Sequence, residues 1–316
     1  MDGIVLLAKR SGCTSFSALW QVKNSLETKK IGHTGTLDSF ADGLLVVLAG
    51  RYTHLVPYIT NCDKEYIARM HFGYQTETLD PLGKVVSESP LPSLYDLKNA
   101  FTLFNGQIDQ VPPAYSAIHI QGQRASDRIR RGEDITLPSR KVIIRELELL
   151  SYQFSPSSEG REQLLWADIR VLCSKGTYIR SLARDIAQQA GSSATLTALR
   201  RTRIGPFSLE SAAGFSSLPA FGTSYEEKID ICGEIREQLL GFTKELSGNI
   251  GICPVQIHTT YEKSFLNGQL ILLNWFDLSM PLDDGVFSVF SGSRFLGVFH
   301  KQGTTLGYDF VYREEP

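Results

Sequence analysis

Apolar residues recur along the chain with two periods. Gly3-Ile4-Val5-Leu6-Leu7-Ala8 and Leu44 to Ala49 are short continuous apolar runs, which predict buried strands. Leu165, Ala167, Ile169, Val171 and Cys173 fall on one face of a half-buried strand, and Lys64, Tyr66, Ala68 and Met70 share a face of another. Other segments have helical spacing. Phe16, Leu19, Trp20, Val22 and Leu26 predict a helix capped by Ser15 and closed by Lys29 and Lys30; a second runs from Ser93 to Phe104. Ile179, Leu182, Ala183, Ile186, Ala187 and Ala190 trace one face of a third, stopped by Gly191. Pro112-Pro113 forbids helix and holds its segment extended. Beyond residue 210 a helix is predicted around Glu227 to Leu246. After it come β-like runs at Leu270–Leu273, Val286–Phe290, Phe295–Phe299 and Phe310–Tyr312, whose turn spacing suggests a small barrel or curled sheet.

A chain of 316 residues with 42% hydrophobic and 21% charged content is that of a globular protein of about two domains. No stretch approaches the roughly 18 apolar residues of a membrane span. Lys9-Arg10 follows the first apolar run, the wrong order for a secretory signal, so a cytoplasmic protein is expected. The 5 cysteines are scattered and none forms a Cys-x-x-Cys pair, which argues against a disulfide frame or zinc site.

The net charge of −2 hides an uneven distribution. Arg124, Arg128, Arg130, Arg131, Arg140, Lys141 and Arg145, against Asp127, Glu133 and Asp134, crowd one stretch, which reads as a long exposed excursion. Arg170, Lys175, Arg180, Arg184, Arg200, Arg201 and Arg203 crowd another, against the single acid Asp185. Solvated faces usually mix signs, so both stretches suggest a phosphate-facing surface; ion pairs are the competing reading.

The candidate chemistry lies in Gly32-His33-Thr34-Gly35-Thr36-Leu37-Asp38, a glycine-rich turn that sets a carboxylate beside an apolar strand. A phosphate loop is excluded because no Gly-Lys-Ser/Thr follows. A nucleotidyl-transferase His-x-Gly-His is excluded because Thr36 occupies the second histidine position. A helix N-cap at Asp38 remains open on the residues alone. Arg180 falls in the first turn of the third helix, where the dipole disfavours a cation; a carboxylate partner is expected, and Asp38 is the candidate. Tyr66 beside Lys64 reads either as a site aromatic or as a core tyrosine with a bonded hydroxyl.

Five motifs then fall in order: Gly32 to Asp38, Lys64-Glu65-Tyr66, Val111-Pro112-Pro113-Ala114-Tyr115-Ser116-Ala117, Cys173-Ser174-Lys175-Gly176-Thr177-Tyr178-Ile179-Arg180 and Leu199-Arg200-Arg201-Thr202. Together they resemble the bacterial TruB family of tRNA pseudouridine synthases, over about residues 3 to 208. The resemblance implies an α+β fold: a mixed, mainly antiparallel central sheet with flanking helices and an RNA-binding insertion. It implies a catalytic domain at 1–210 with the insertion at about 118–145, a connecting helical segment at 211–250 and a small β-rich PUA-like RNA-binding domain at 251–316.

It also implies isomerisation of the T-loop uridine, position 55, of tRNA without metal or cofactor. Asp38 would carry the reaction, Arg180 would pair with it, and Tyr66 would stack on the flipped base or move a proton. His33 would enter the space left in the T loop. Leu199 would wall the uracil pocket, and Gly35, Thr36, Lys64, Arg124 and Arg131 complete the expected substrate-contacting set. The partner is then the T arm of tRNA, met by a monomer with no obligate protein partner. Departures from the family pattern, at Arg10-Ser11, Ser39, Ile118-His119 and Ser126, fall outside this catalytic set. A non-catalytic RNA-binding or tRNA-folding protein on the same scaffold is the competing class.

Overall fold

In the computed structural model the apolar runs become neighbouring strands. The structure describes residues 1–116, 137–156, 162–223, 230–278 and 280–313, together with residues 119, 120, 123, 124, 128, 131, 133 and 135. β1 (Gly3–Lys9) is followed by α1 (Ser15–Leu26), β2 (Ile31–His33) and β3 (Asp42–Ala49). Every residue of β1 and β3 is buried, because both faces of this pair are covered. Leu19, Val22 and Leu26 of α1 pack against Val5, Leu7, Leu45 and Val47 on one side. Phe290, Phe295, Val298 and Phe310 from the far end of the chain pack against Ile4, Leu6, Leu44 and Val46 on the other.

Thr14, not Ser15, caps α1, its side chain accepting from the Ser17 N–H at 3.1 Å. Ser15 lies inside the first turn, and its buried hydroxyl turns to the neighbouring loop instead. The helix ends at Leu26 with Glu27 in the left-handed region (φ 51°), so Lys29 and Lys30 lie beyond it.

β4 (Lys64–Phe72) buries every second residue, as its alternation requires. After it come α2 (Leu94–Thr102), capped by Ser93, β5 (Gly106–Gln110), β6 (Arg140–Phe154), β7 (Leu164–Cys173), α3 (Ile179–Gln189), β8 (Ala194–Ile204) and the two-residue β9 (Phe207–Ser208). The sheet order is β1-β3-β8-β4-β7-β6-β5, with β2 on β3 and β9 on β8. All pairings are antiparallel except β3 with β8, where Arg200 lies opposite Asp42 and Arg201 opposite Gly43. On one face, Leu182, Ile186 and Ala187 of α3 join Ala68, Met70, Ile169, Val171 and Leu196 in a core. Each fully buried Leu or Ile there stabilises the fold by about 1.5 to 3 kcal/mol.

β1 is an edge strand, and two later segments cover its free backbone groups. Ala213 exchanges hydrogen bonds with Leu6 and Ala8, and Leu240 exchanges two with Ile4, all at 2.9 Å. This coverage overrides the helix expected over Glu227 to Leu246. Only Cys232–Glu237 and Lys244–Asn249 are helical, the intervening residues run extended along β1, and 224–229 lie outside the described residues.

The C-terminal sheet contains β10 (Cys253–Ile257), β11 (Phe276–Asp277), β12 (Gly285–Ser291), β13 (Arg294–Gln302) and β14 (Thr305–Val311), in the order β11-β10-β12-β13-β14. Leu270–Leu273, expected as a strand, is not one: Leu270 is 79% exposed, and the segment leads into a 3-10 turn at Leu273–Trp275. Among the described residues no helix is long and apolar enough to cross a membrane.

Candidate active site

The loop between β2 and β3 is fixed by backbone groups before any charge acts. Thr34 donates its N–H to Val46 at 3.1 Å, continuing the β2–β3 pairing. Gly35 has φ +141°, a region that favours glycine. The Ser15 hydroxyl holds Leu37 at both ends, accepting from its N–H at 2.8 Å and donating to its carbonyl at 3.0 Å. Asp38 follows. Its carbonyl accepts from the Ala41 N–H at 3.2 Å, closing a turn that leads into β3 with no helix after it, so Asp38 is not an N-cap.

Arg180 reaches Asp38 from the second residue of α3. The chain entering that helix is clamped by buried Gln110, which accepts from the Tyr178 N–H at 2.8 Å and donates to the Tyr178 carbonyl at 3.1 Å. Arg180 Nε lies 2.8 Å from Asp38 Oδ2, and Nη2 donates to Oδ1 at 3.0 Å. Nη2 also donates to the Tyr115 carbonyl at 3.1 Å and Nη1 to the Thr78 carbonyl at 2.8 Å. A buried guanidinium at a helix N-terminus is stable only because acceptors converge on it.

One of those acceptors, Asp80, is absent from the site set read in the sequence, where Asp80-Pro81-Leu82-Gly83 signals only a turn. Its Oδ2 lies 3.4 Å from Arg180 Nη1, while Oδ1 accepts from the Thr78 hydroxyl at 2.6 Å and the Leu82 N–H at 3.0 Å. The residue between them, Leu79, has φ +61°, unusual for a branched side chain; its carbonyl accepts from Leu196 at 3.2 Å and ties the turn to β8.

The three charges differ in access: in these ion pairs the Asp38 side chain is 35% exposed, against 5% for Arg180 and 8% for Asp80. Burial pushes the Asp38 carboxyl above the ordinary carboxylate range and the Asp80 charge adds to this, while Arg180 and Lys9 act in the opposite direction. Lys9, also outside the expected set, is 1% exposed, donates to the Ala41 carbonyl at 2.6 Å, and is pushed down to about 8 by burial.

Tyr66 and Leu199 sit on adjacent strands β4 and β8, both buried, in the same core as Leu37. Burial raises the Tyr66 phenol, and the charge of Arg201, which lies opposite Tyr66 in the β4–β8 pairing, opposes the rise. Arg201 is itself buried and donates to the Gly35 carbonyl at 3.1 Å. Lys64 shares Tyr66's face, but its ammonium turns to the carbonyls of Thr60 (2.5 Å) and Cys62 (2.7 Å), and burial pushes it down to about 8. His33 Nδ1 accepts from the Gly35 N–H at 3.3 Å, Thr36 is exposed, and burial lowers the His33 pKa.

Arg131 is exposed and pairs with Glu133 at 3.1 Å. Arg124 lies in a two-residue strand opposite His119; its side chain and most of 117–136 lie outside the described residues. The excursion expected to run to Arg145 ends where β6 begins at Arg140.

In the second basic stretch most of the arginines are paired with carboxylates or buried, while the exposed Lys175 donates to Asn61 Oδ1 at 2.6 Å. Arg170 pairs with Glu65, Glu146 and Glu148, Arg200 with Asp42, Arg203 with Glu65 and Arg184 with Asp185, while Arg180 and Arg201 are buried. The pairing acids lie mostly on β3, β4 and β6, and a local count of charge cannot see them.

Comparison with known proteins identifies the family. Residues 23–179 match the family described as TruB family pseudouridylate synthase (N terminal domain). The chain is 39% identical to tRNA pseudouridine synthase B of Treponema pallidum (strain Nichols) over 362 aligned positions, covering 99% of this chain and 98% of that protein. It is 43% identical to tRNA pseudouridine synthase B of Borreliella burgdorferi over 210, covering 66% and 72%. An H/ACA ribonucleoprotein structure bound to a substrate RNA containing 2′-deoxyuridine has the same fold, with TM-score 0.65 at 20% identity, covering 99% of this chain and 84% of that one. This chain belongs to the TruB family of pseudouridylate synthases.

Proposed function

We propose that the protein isomerises uridine to pseudouridine in tRNA, at position 55 of the T loop, with Asp38 as the catalytic carboxylate. The observation that carries this reading is the Asp38–Arg180–Asp80 cluster, in which a paired carboxylate keeps 35% of its side chain exposed beside two charges that are nearly fully buried. Such a group serves as a nucleophile or as an electrostatic partner for positive charge developing on the sugar. The C1′–N1 bond breaks, the uracil turns over, and C5 bonds to C1′; N1 gains a proton and C5 loses one, so atoms and charge balance.

Each residue of this set then has a task. Arg180 aims Asp38 and favours its ionised form against desolvation. Tyr66 and Leu199 line the dry pocket for the extruded base, and Tyr66 takes part in proton transfer at C5. Extrusion costs a few kcal/mol, which His33 entering the vacated space would offset. Arg124 and Arg131 contact the RNA backbone. Thr36, the exposed residue of the loop, faces the incoming nucleotide together with Gly35, and Lys64 stays beneath them. The chain acts as a monomer in the cytoplasm, on the T arm alone.

A pure RNA-binding protein on this scaffold is disfavoured, since holding a desolvated carboxylate costs stability that binding alone does not require. Incubating the protein with an unmodified tRNA transcript labelled with tritium at uridine C5 tests the reading. Tritium release, with pseudouridine mapped to the T-loop uridine, is expected; tight binding without release contradicts it.

A further inference from the structure

Arg201 is among the largest fully buried side chains of the molecule, at 1% exposure, and its position in the sheet is specific. On β8 it lies opposite Tyr66 of β4 on one side and opposite Gly43 of β3 on the other. A Cβ on Gly43, which has φ +108°, would lie 2.4 Å from the Arg201 carbonyl oxygen, so the strands meet this closely only because residue 43 is glycine. The guanidinium is thereby placed under the catalytic loop. Nε donates to the Leu44 carbonyl at 2.8 Å and Nη2 to the Gly35 carbonyl at 3.1 Å.

Two features set Arg201 apart from a structural ion pair. Among the described residues it forms no salt bridge to a carboxylate, whereas the adjacent Arg200 takes both oxygens of Asp42 at 2.7 and 2.8 Å. Its charge is therefore left to act on neutral groups, and the buried Tyr66, its direct partner across the β4–β8 pairing, carries one of them. An arginine can only donate, so an interaction across this pair runs from the guanidinium to the phenol oxygen and leaves the phenol hydrogen directed away from Arg201.

We propose that Arg201 is a positioning residue for the isomerisation: it fixes the loop carrying Asp38 through the Gly35 carbonyl, and it orients and activates the Tyr66 hydroxyl for proton transfer at C5. This rests on the function proposed above. The opposing effects on the Tyr66 phenol, burial raising it and the Arg201 charge lowering it, agree with that role. Without Arg201 the phenol keeps the penalty of burial and loses its compensation.

The test is a double-mutant cycle on single-turnover tritium release with saturating enzyme, using Arg201→Met, Tyr66→Phe and the pair. Tyr66→Phe is expected to slow release by about a hundredfold. Arg201→Met is expected to slow it by about tenfold in the native background and by less than about twofold in the Tyr66→Phe background, because it acts through that hydroxyl. Affinity for tRNA should stay within about threefold, the C5-deuterium isotope effect should grow, and the inflection in rate due to Tyr66 should move to higher pH. If Arg201→Met does not fold, Arg201→Lys, which keeps the charge but shortens the reach, carries the same cycle.

Additive losses, an unchanged isotope effect, or a loss confined to tRNA affinity would overturn the proposal. So would failure of both variants to fold, which would make Arg201 a fold determinant. The native protein in the same assay separates the two levels: absence of release there sinks the proposed function itself, whereas native release with an additive cycle sinks only the role of Arg201.

Discussion

The large sheet and the C-terminal sheet both contain strands buried on both faces but bury different chemistry. Around β3, β4, β8 and α3 the interior holds Lys9, Asp42, Lys64, Asp80, Arg180 and Arg201. Among the described residues after Arg201, the buried polar side chains are Ser247 and Ser288, bonded to each other at 2.6 Å; aromatic rings fill much of the remaining interior. Buried charge lowers stability unless fully partnered, so its concentration in and around the large sheet, where Asp168 is buried as well, marks where the fold gives up stability, in keeping with the chemistry proposed there. The aromatic sheet carries no such conflict.

The sharpest contrast comes from removing a buried charge. Arg180→Met leaves Asp38, Asp80 and the carbonyls of Thr78 and Tyr115 without their donor. Turnover should fall by about a thousandfold, and stability by about 3 to 5 kcal/mol, read from single-turnover rates and urea unfolding. In the other sheet, Phe299 stacks between Phe276 and Phe287, with ring centroids at 5.1 and 5.2 Å. Phe299→Ala should cost about 3 to 4 kcal/mol in the same unfolding experiment while leaving turnover per folded molecule unchanged. A loss of turnover in the Phe299 variant would break the separation between the two regions.

How much of this is legible in the sequence follows from where the contacts come from. The strand faces, the helices flanking the sheet and the motifs around Asp38, Tyr66, Leu199 and Arg180 can be read because each is a local pattern. Asp80 cannot: it meets Arg180 from 100 positions away, through a turn whose polar residues resemble any exposed loop. Arg201 misleads for the same reason, since a run of arginines looks like a phosphate surface until the parallel β3–β8 pairing buries it. The apolar run at Leu270–Leu273 fails as a strand because β10 pairs with β11 and β12; outside the sheet it buries only Ile271 and leaves its three leucines exposed.

Asp80 gives a smaller and signed effect. On the proposed role of Asp38, turnover needs its ionised form, so the native rate should fall as pH drops through a value above the ordinary carboxylate pKa of about 3.9. Asp80→Asn removes a nearby negative charge that raises the Asp38 pKa, so this acid limb should move to lower pH, with a rate loss of about tenfold from the weakened hold on Arg180. A limb moving upward would contradict the assigned electrostatics. The smallest effect belongs to Arg170: its partners Glu146 and Glu148 are more than half exposed, and Glu65, the more buried one, keeps Arg203 and the Thr202 hydroxyl as partners. Arg170→Met should change stability by less than about 1 kcal/mol and turnover not at all.

The central claim is that one carboxylate, held by Arg180 and open on its outer side, performs the chemistry. Asp38→Asn tests it most directly when tRNA affinity, unfolding midpoint and single-turnover pseudouridine formation are measured on the same preparation. The account predicts near-native affinity and stability with no detectable product; product formed at the native rate would contradict it.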